Sequence, residues 1–126
     1  MLYSYNMSTL GSQESDIAAE SGVDEIAVDR VFKALGHRTR RTILDLLRDA
    51  PRTTGELCAA FPDLDRCTTM QHVGVLERAD LVVAHRNGRE RWNHLNVLPI
   101  KDAHDRWIGG YATAAVDLLA ALERDG

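Results

Sequence analysis

No apolar run in this 126-residue chain lasts more than a few residues. Nothing approaches the roughly 20 residues needed to span a bilayer, and no membrane partner is expected. The opening MLYSYNMSTL sets no basic stretch ahead of an apolar one and carries no small-residue cleavage pattern. A secretory signal is therefore not expected, and Met7 is an alternative start. Cysteine is scarce too. Cys58 and Cys67 are the two thiols and lack CxxC spacing, which argues against a disulfide framework and for a reducing compartment, by default the cytoplasm. Catalytic vocabulary is missing as well: no Ser or Cys nucleophile stands in a recognisable motif, no Gly-rich phosphate loop follows a strand, and the acids are scattered. Neither an enzyme nor a bound cofactor is expected. No internal repeat is visible, and the length suits one soluble domain with one core.

A net charge of -4 removes the easy argument for a nucleic-acid partner, until the charge is divided along the chain. Residues 1–29 hold six acids and no Lys or Arg, residues 30–94 hold twelve basic side chains against eight acids, and residues 95–126 hold three against five. The middle is basic and both ends are acidic. Residues 1–22, rich in Ser, Gly and acids without a sustained apolar period, are expected to form a disordered acidic arm, and residues 23–126 one folded domain.

Order is expected to begin near Asp24. Ile26, Val28, Val31, Phe32 and Leu35 suggest a helix closed by Gly36 in a left-handed turn. Ile43, Leu44, Leu46 and Leu47 give a second helix its buried face, with Arg40, Arg41 and Arg48 near the surface and Pro51 beyond its end. Arg38, Arg40 and Arg41 are open to two uses, contacts to a DNA backbone or packing and ion pairing with Asp45. Thr53 or Thr54 caps a short third helix anchored by Leu57 and Phe61. Asp65 caps a fourth over residues 66–79, with Met70, Val73 and Leu76 inward and Thr68, Thr69, Gln71 and His72 toward an exposed first half. Two extended runs then meet at Asn87-Gly88, a strong hairpin signal. Finally a long apolar stripe, from Ile100 through Trp107, Tyr111 and Leu118 to Leu122, is interrupted at Gly109-Gly110. A domain this small has little core left to cover that stripe, so a second subunit is the economical cover.

This order of elements predicts a mainly α fold with a two-stranded β-wing, a winged helix-turn-helix, whose partner is double-stranded DNA. Gln71 has an amide suited to an adenine edge, and the methyls of Thr68 and Thr69 suit a thymine methyl. Arg66 and His72 complete the candidate reading face, with a phosphate contact or the capping of a neighbouring element as the alternative for His72. His85, Arg86, Asn87, Arg89 and Arg91 form the cationic hairpin, expected to reach phosphates or the minor groove. A charged edge that discourages strand aggregation is the competing explanation of that tip.

The residues that carry these signals resemble the ArsR family of winged-helix repressors over roughly residues 28–122. They are VFKALGHRTRRTILDLL, TTGELCAAF, TTMQHVGVLERADLV and GRERWNHLN, with RERWNHLN running into LPIKDAHDRW as in the family's non-metal branch. The resemblance implies a dimeric repressor on an inverted-repeat operator, paired through its first and last helices. Val31, Ile100, His104, Trp107, Ile108, Tyr111 and Leu118 are the expected interface residues. It also implies a signal that releases DNA, with an unidentified small molecule or protein as effector. The chain departs from its relatives at Gln71, where Lys is common, at Gly74, where a basic residue is common, and at Gly36-His37-Arg38-Thr39, where many have Asp-Pro.

Metal sensing is not expected. Cys58 matches one ligand of the arsenic-sensing relatives but Ala60 stands at the second, and Asp102 and His104 match half of the zinc site whose other half is Ala115 and Leu118. A redox response through Cys58 and Cys67 is a lesser alternative. The rival from another class is a winged-helix module that binds protein without specific DNA binding.

Overall fold

The computed structural model describes residues 24–125, so the acidic arm expected over residues 1–22 lies outside the described residues. The described residues open with α1, Glu25–Leu35, capped by Asp24, whose Oδ1 accepts from the Ile26 N–H at 2.9 Å. Gly36 ends this helix with φ -75°, not in the left-handed turn expected. Side chains close it instead. Arg40 donates to the carbonyls of Ala34 (2.8 Å) and Lys33 (2.9 Å), and Arg41 to that of Leu35 (2.8 Å). Three carbonyls of the helix end thus meet guanidinium groups, that of Lys33 in addition to the Gly36 N–H (3.2 Å), which removes the need for a glycine-type cap.

Those arginines sit at the start of α2, Arg38–Asp49, whose N-cap is His37: its Nδ1 accepts from the Thr39 N–H at 3.1 Å. A two-residue strand β1, Arg52–Thr53, leads into α3, Thr54–Ala59, and α4, Arg66–Arg78, follows after a turn. Asp80 terminates α4 at φ 61°. The Leu81 N–H bonds back to the Leu76 carbonyl (3.0 Å) and the Asp80 N–H to that of Glu77 (2.9 Å), a Schellman closure. Leu76 and Leu81, both fully buried, supply its apolar contact. This closure turns the chain sharply from α4 into the hairpin and so fixes where the wing starts.

The hairpin is β2, Val82–Asn87, and β3, Glu90–Leu95. Asn87 pairs with Glu90, so the two turn residues are Gly88 and Arg89, one step later than the expected Asn87-Gly88 centre. Gly88 has φ 66° and Arg89 does not share it, the requirement of a type II′ turn with Gly first. The sheet also gains a strand. β1 pairs with β3 (Arg52 with Asn93, Thr53 with Trp92), giving the order β1-β3-β2 instead of a two-stranded wing. Asn93, buried in the middle, donates to the Arg52 carbonyl at 3.1 Å and ties the two strands further.

Ile43, Leu47, Leu57, Val73, Leu76, Leu81 and Val82 form the main core, drawn from α2, α3, α4 and the hairpin. A smaller cluster of Val28, Val31 and Ala103 joins α1 to α5, Leu98–Ala103. The last helix is divided at its glycines. A π-helical turn, His104–Ile108, precedes them, and α6, Gly109–Asp125, continues with Gly109 in ordinary helical geometry. Arg106 of the π-turn pairs with Glu25 of α1 at 2.5 Å.

Two residues expected at a subunit interface are used inside the protomer. Val31 is 1 % exposed in the α1–α5 cluster, and Ile100 packs half-buried against the main core. The others stay on the outside. Trp107, Ile108, Tyr111 and Leu118 are exposed, and so is His104, which contacts Asp105 at 3.3 Å. No residue of α6 is buried. Trp107 touches Phe32 edge-on and lies against Tyr111, so the uncovered apolar surface runs from α1 onto α6. Among the described residues no helix is long and apolar enough to cross a membrane.

Candidate nucleic-acid interface

Helix α3 is set by a capping box: Thr53 Oγ1 accepts from the Glu56 N–H (3.1 Å) while the Thr53 N–H donates to Glu56 Oε1 (2.8 Å). Both orphan donors of the helix start are satisfied in six residues, which lets so short a helix hold its place. Asp65 then caps α4, accepting from the Thr68 N–H at 2.7 Å. Hydrogen bonds from Thr68, backbone first and then side chain, hold the Asp65 carboxyl below its usual range. The start of α4 is thereby fixed against α3 as the second element of a helix-turn-helix.

The exposed side of α4 is narrower than the sequence suggested. Arg66 and Gln71 are exposed and Thr68 is half-buried beside them. Thr69 corrects the expectation: it is fully buried and faces the core with its hydroxyl unpaired, so its methyl is not offered to a base. His72 is half-buried and turned toward α2. Its Nδ1 lies 3.1 Å from Arg40 Nη1, and its ring is 4.4 Å from that of His37. A guanidinium only donates, so His72 must offer a lone pair at Nδ1 and be neutral in this arrangement. Burial first, then the charges of His37 and Arg40, push the His72 pKa below its usual value.

The wing lies across an open cleft from α4. Arg66 and Met70 line one side and Thr53, Thr54 and Gly55 the floor. Arg86, Arg89, Glu90 and Arg91 of the hairpin line the other side. Four arginines against one glutamate make it strongly cationic, suited to a polyanion backbone. Arg86, Arg89 and Asn87 are exposed at the tip, and His85 stands beside them with its ring 5.3 Å from that of His94. Arg91 differs. It is half-buried and forms an ion pair with Glu77 of α4.

Thr53, Thr54 and Gly55 were not singled out from the sequence as part of this surface. Their signal was present in the capping pattern, which places the start of α3 beside the start of α4. Arg40, for which DNA contact or packing and pairing with Asp45 stood open, instead caps the end of α1, and Glu77, which pairs across elements, was not singled out from the sequence. Cys58 is half-buried with its Sγ 4.0 Å from Arg66 Nη1, and Cys67 is exposed; both are free thiols.

Comparison with known proteins follows the same outline. A helix-turn-helix domain family matches residues 35–84, from the end of α1 into the wing. The transcriptional repressor SdpR of Bacillus subtilis is 32% identical over 76 residues, which span 60% of this chain and 83% of SdpR. Among solved structures, an ArsR family transcriptional regulator superposes with a TM-score of 0.64 at 27% identity, covering 72% of this chain and 92% of that one. A homodimeric winged helix-turn-helix DNA-binding domain from Mycobacterium bovis, described as a possible ArsR-family regulator, gives 0.51 at 26% identity over 78% of this chain and 83% of its own.

Proposed function

The chain belongs to the ArsR family of winged helix-turn-helix transcriptional regulators, and we propose that it acts as a homodimeric repressor, each protomer setting α4 in a major groove and its wing on the flanking phosphates. As a member of that family it is a DNA-binding transcriptional repressor and not a catalyst. Its proposed operator is an inverted repeat, since a two-fold dimer presents two copies of α4 to half-sites about one helical turn apart.

One observation carries the reading: Arg66, Arg86 and Arg89 line one cleft against a single lining acid, Glu90, and Gln71 is exposed on the same helix as Arg66. In this assignment Gln71 and Thr68 read base edges, Arg66 grips the backbone at the entry of α4, and His85, Arg86, Asn87 and Arg89 hold the wing on phosphates. Trp107, Ile108, Tyr111 and Leu118 cover one another across the dimer axis. This supports a dimer because a helix with no buried residue of its own has no other cover among the described residues. The cytoplasm is the proposed location, and an effector that releases DNA is proposed without a chemical identity.

The test is fluorescence anisotropy of the purified protein on duplex from upstream of its own gene, against an unrelated duplex, at about 50 and 200 mM salt. Tight binding to the first that weakens by orders of magnitude with salt is expected. Equal affinity for both duplexes, or indifference to salt, would refute the assignment.

A further inference from the structure

Arg91 is the one arginine of the cleft that an acid of the reading helix holds. Glu77 and Arg91 are each about a third exposed, at 31% and 29% of their side-chain surface, and they join the C-terminal half of α4 to the start of β3. No other ion pair among the described residues connects α4 to the wing; the remaining ones, Lys101 with Asp105, His104 with Asp105 and Arg106 with Glu25, lie on the terminal helices and α1. The hairpin has only two turn residues and leaves α4 through a tight closure at Asp80 and Leu81. Its strands are thus anchored at the base, and the Glu77 pair adds a second fixed point partway up β3.

Resting on the DNA-binding reading above, we propose that Glu77 is a positioning residue. It withholds Arg91 from the DNA backbone and uses it as a strut that sets the wing against the reading helix, leaving phosphate contact to Arg86 and Arg89. Arg91 lines the same cleft as those two, so a guanidinium released from Glu77 stands within the same cationic surface. A phosphate contact is independent of sequence, whereas the angle between wing and helix decides whether both engage a given site together. Withholding the charge therefore trades non-specific grip for register.

The number of phosphates neutralised is read directly from the salt dependence of binding, with a slope of about -0.9 in log affinity against log salt for each contact. Glu77→Gln keeps the shape of the side chain and removes the charge that holds Arg91. The expected result is a salt slope steeper by about 0.9 per wing, which multiplies the affinity lost between 50 and 200 mM salt by about 3.5-fold for one wing and about 12-fold for two. Affinity for unrelated duplex at 50 mM rises with it. The double variant Glu77→Gln with Arg91→Gln, which leaves net charge unchanged, should return the slope to that of the parent protein.

A merely structural role for Glu77 weakens binding at every salt without changing the slope, and that result would overturn the proposal. A double variant shallower than the parent by about 0.9 per wing would overturn it too, because Arg91 would already be a phosphate contact. If the parent protein itself shows no salt-dependent binding to any duplex, the DNA-binding reading fails; if it binds and only the Glu77→Gln slope is unmoved, the failure belongs to this inference alone.

Discussion

Leu118→Asp tests the uncovered face of α6 more cleanly than any change at Trp107. Trp107 touches Phe32 and Tyr111, so its replacement disturbs the protomer as well. Leu118 is 60% exposed on a helix with no buried residue. Covering that exposed part contributes about 1–2 kcal/mol, scaled from about 1.5–3 kcal/mol for a whole leucine. A two-fold interface loses it twice, about 2–4 kcal/mol, and must also desolvate two carboxylates at no less than about 1 kcal/mol each. The dimer should therefore weaken by at least about 4 kcal/mol, a factor of roughly a thousand. Sedimentation equilibrium at micromolar protein should show a dimer for the parent chain and a monomer for the variant. Helicity should fall as well, because α6 alone is near the length at which an isolated helix is marginal in water. A variant that stays dimeric with unchanged circular dichroism would refute the assignment of this face, and so would a parent protein that sediments as a monomer.

Arg86→Ala combined with Arg89→Ala removes two exposed tip arginines from each wing; in a dimer the salt slope should fall by up to about 3.6, shrinking the affinity ratio between 50 and 200 mM by about 150-fold, with anisotropy as the readout. An unchanged slope would place the phosphates elsewhere. His72 should make the fold sensitive to mild acid: its folded-state pKa lies below the usual 6.5, so the unfolded chain takes up the proton more readily, and the stability it contributes is present above pH 6.5 and lost as pH falls below it. Thermal melting between pH 7.5 and 5 should fall more steeply for the parent than for His72→Gln, and parallel curves would exclude the effect. Thr53→Ala removes the cap of α3 and should cost about 1 kcal/mol in denaturant unfolding. A loss within error of zero would show that β1 pairing alone holds that helix start.

Much of this architecture is legible because its elements announce themselves locally. Asp24, Thr53 and Asp65 cap helices by a chemistry that acts within three residues, and a Gly near the centre of two extended runs names a hairpin. What is lost is whatever depends on a partner outside the element itself. The turn centre shifts from Asn87-Gly88 to Gly88-Arg89 because the pairing of Asn87 with Glu90 sets the register, and either choice satisfies glycine's freedom at φ 66°. Gly36 looks like a helix terminator, but the carbonyls it would have served are taken by Arg40 and Arg41. Strand β1 is two residues long and exists because β3 offers an edge. Thr68 and Thr69 are adjacent and chemically alike, but Thr69 stands four and seven residues before the buried Val73 and Leu76 and so shares their face of the helix, a spacing the sequence already carried. The long stripe was legible as a pattern, but its first residues, on α5, pack inward: Ala103 against Val31 of α1, and Ile100 against the main core, so Val31 and Ile100 lie inside the protomer.

The reading helix is held on three sides, and this limits what one protomer can recognise. Thr69, Val73 and Leu76 bury its inner face, Arg40 binds His72 on the side of α1 and α2, and Arg91 binds Glu77 on the side of the wing. Such restraint sets the helix rigidly but leaves few free side chains, chiefly Gln71 with Thr68 and Arg66 beside it. A good bidentate contact discriminates by about 1–3 kcal/mol, while specific binding commonly exceeds non-specific binding by about 4–10 kcal/mol. On the proposed assignment one Gln71 falls short of that range, whereas two copies on a symmetric site would supply about 2–6 kcal/mol and enter it. The proposed dimer face of α6 and the proposed reading face of α4 would then act as parts of one device. Dividing the dimer should erase sequence preference while the wing arginines, which need no partner to meet a phosphate, still bind duplex at low salt.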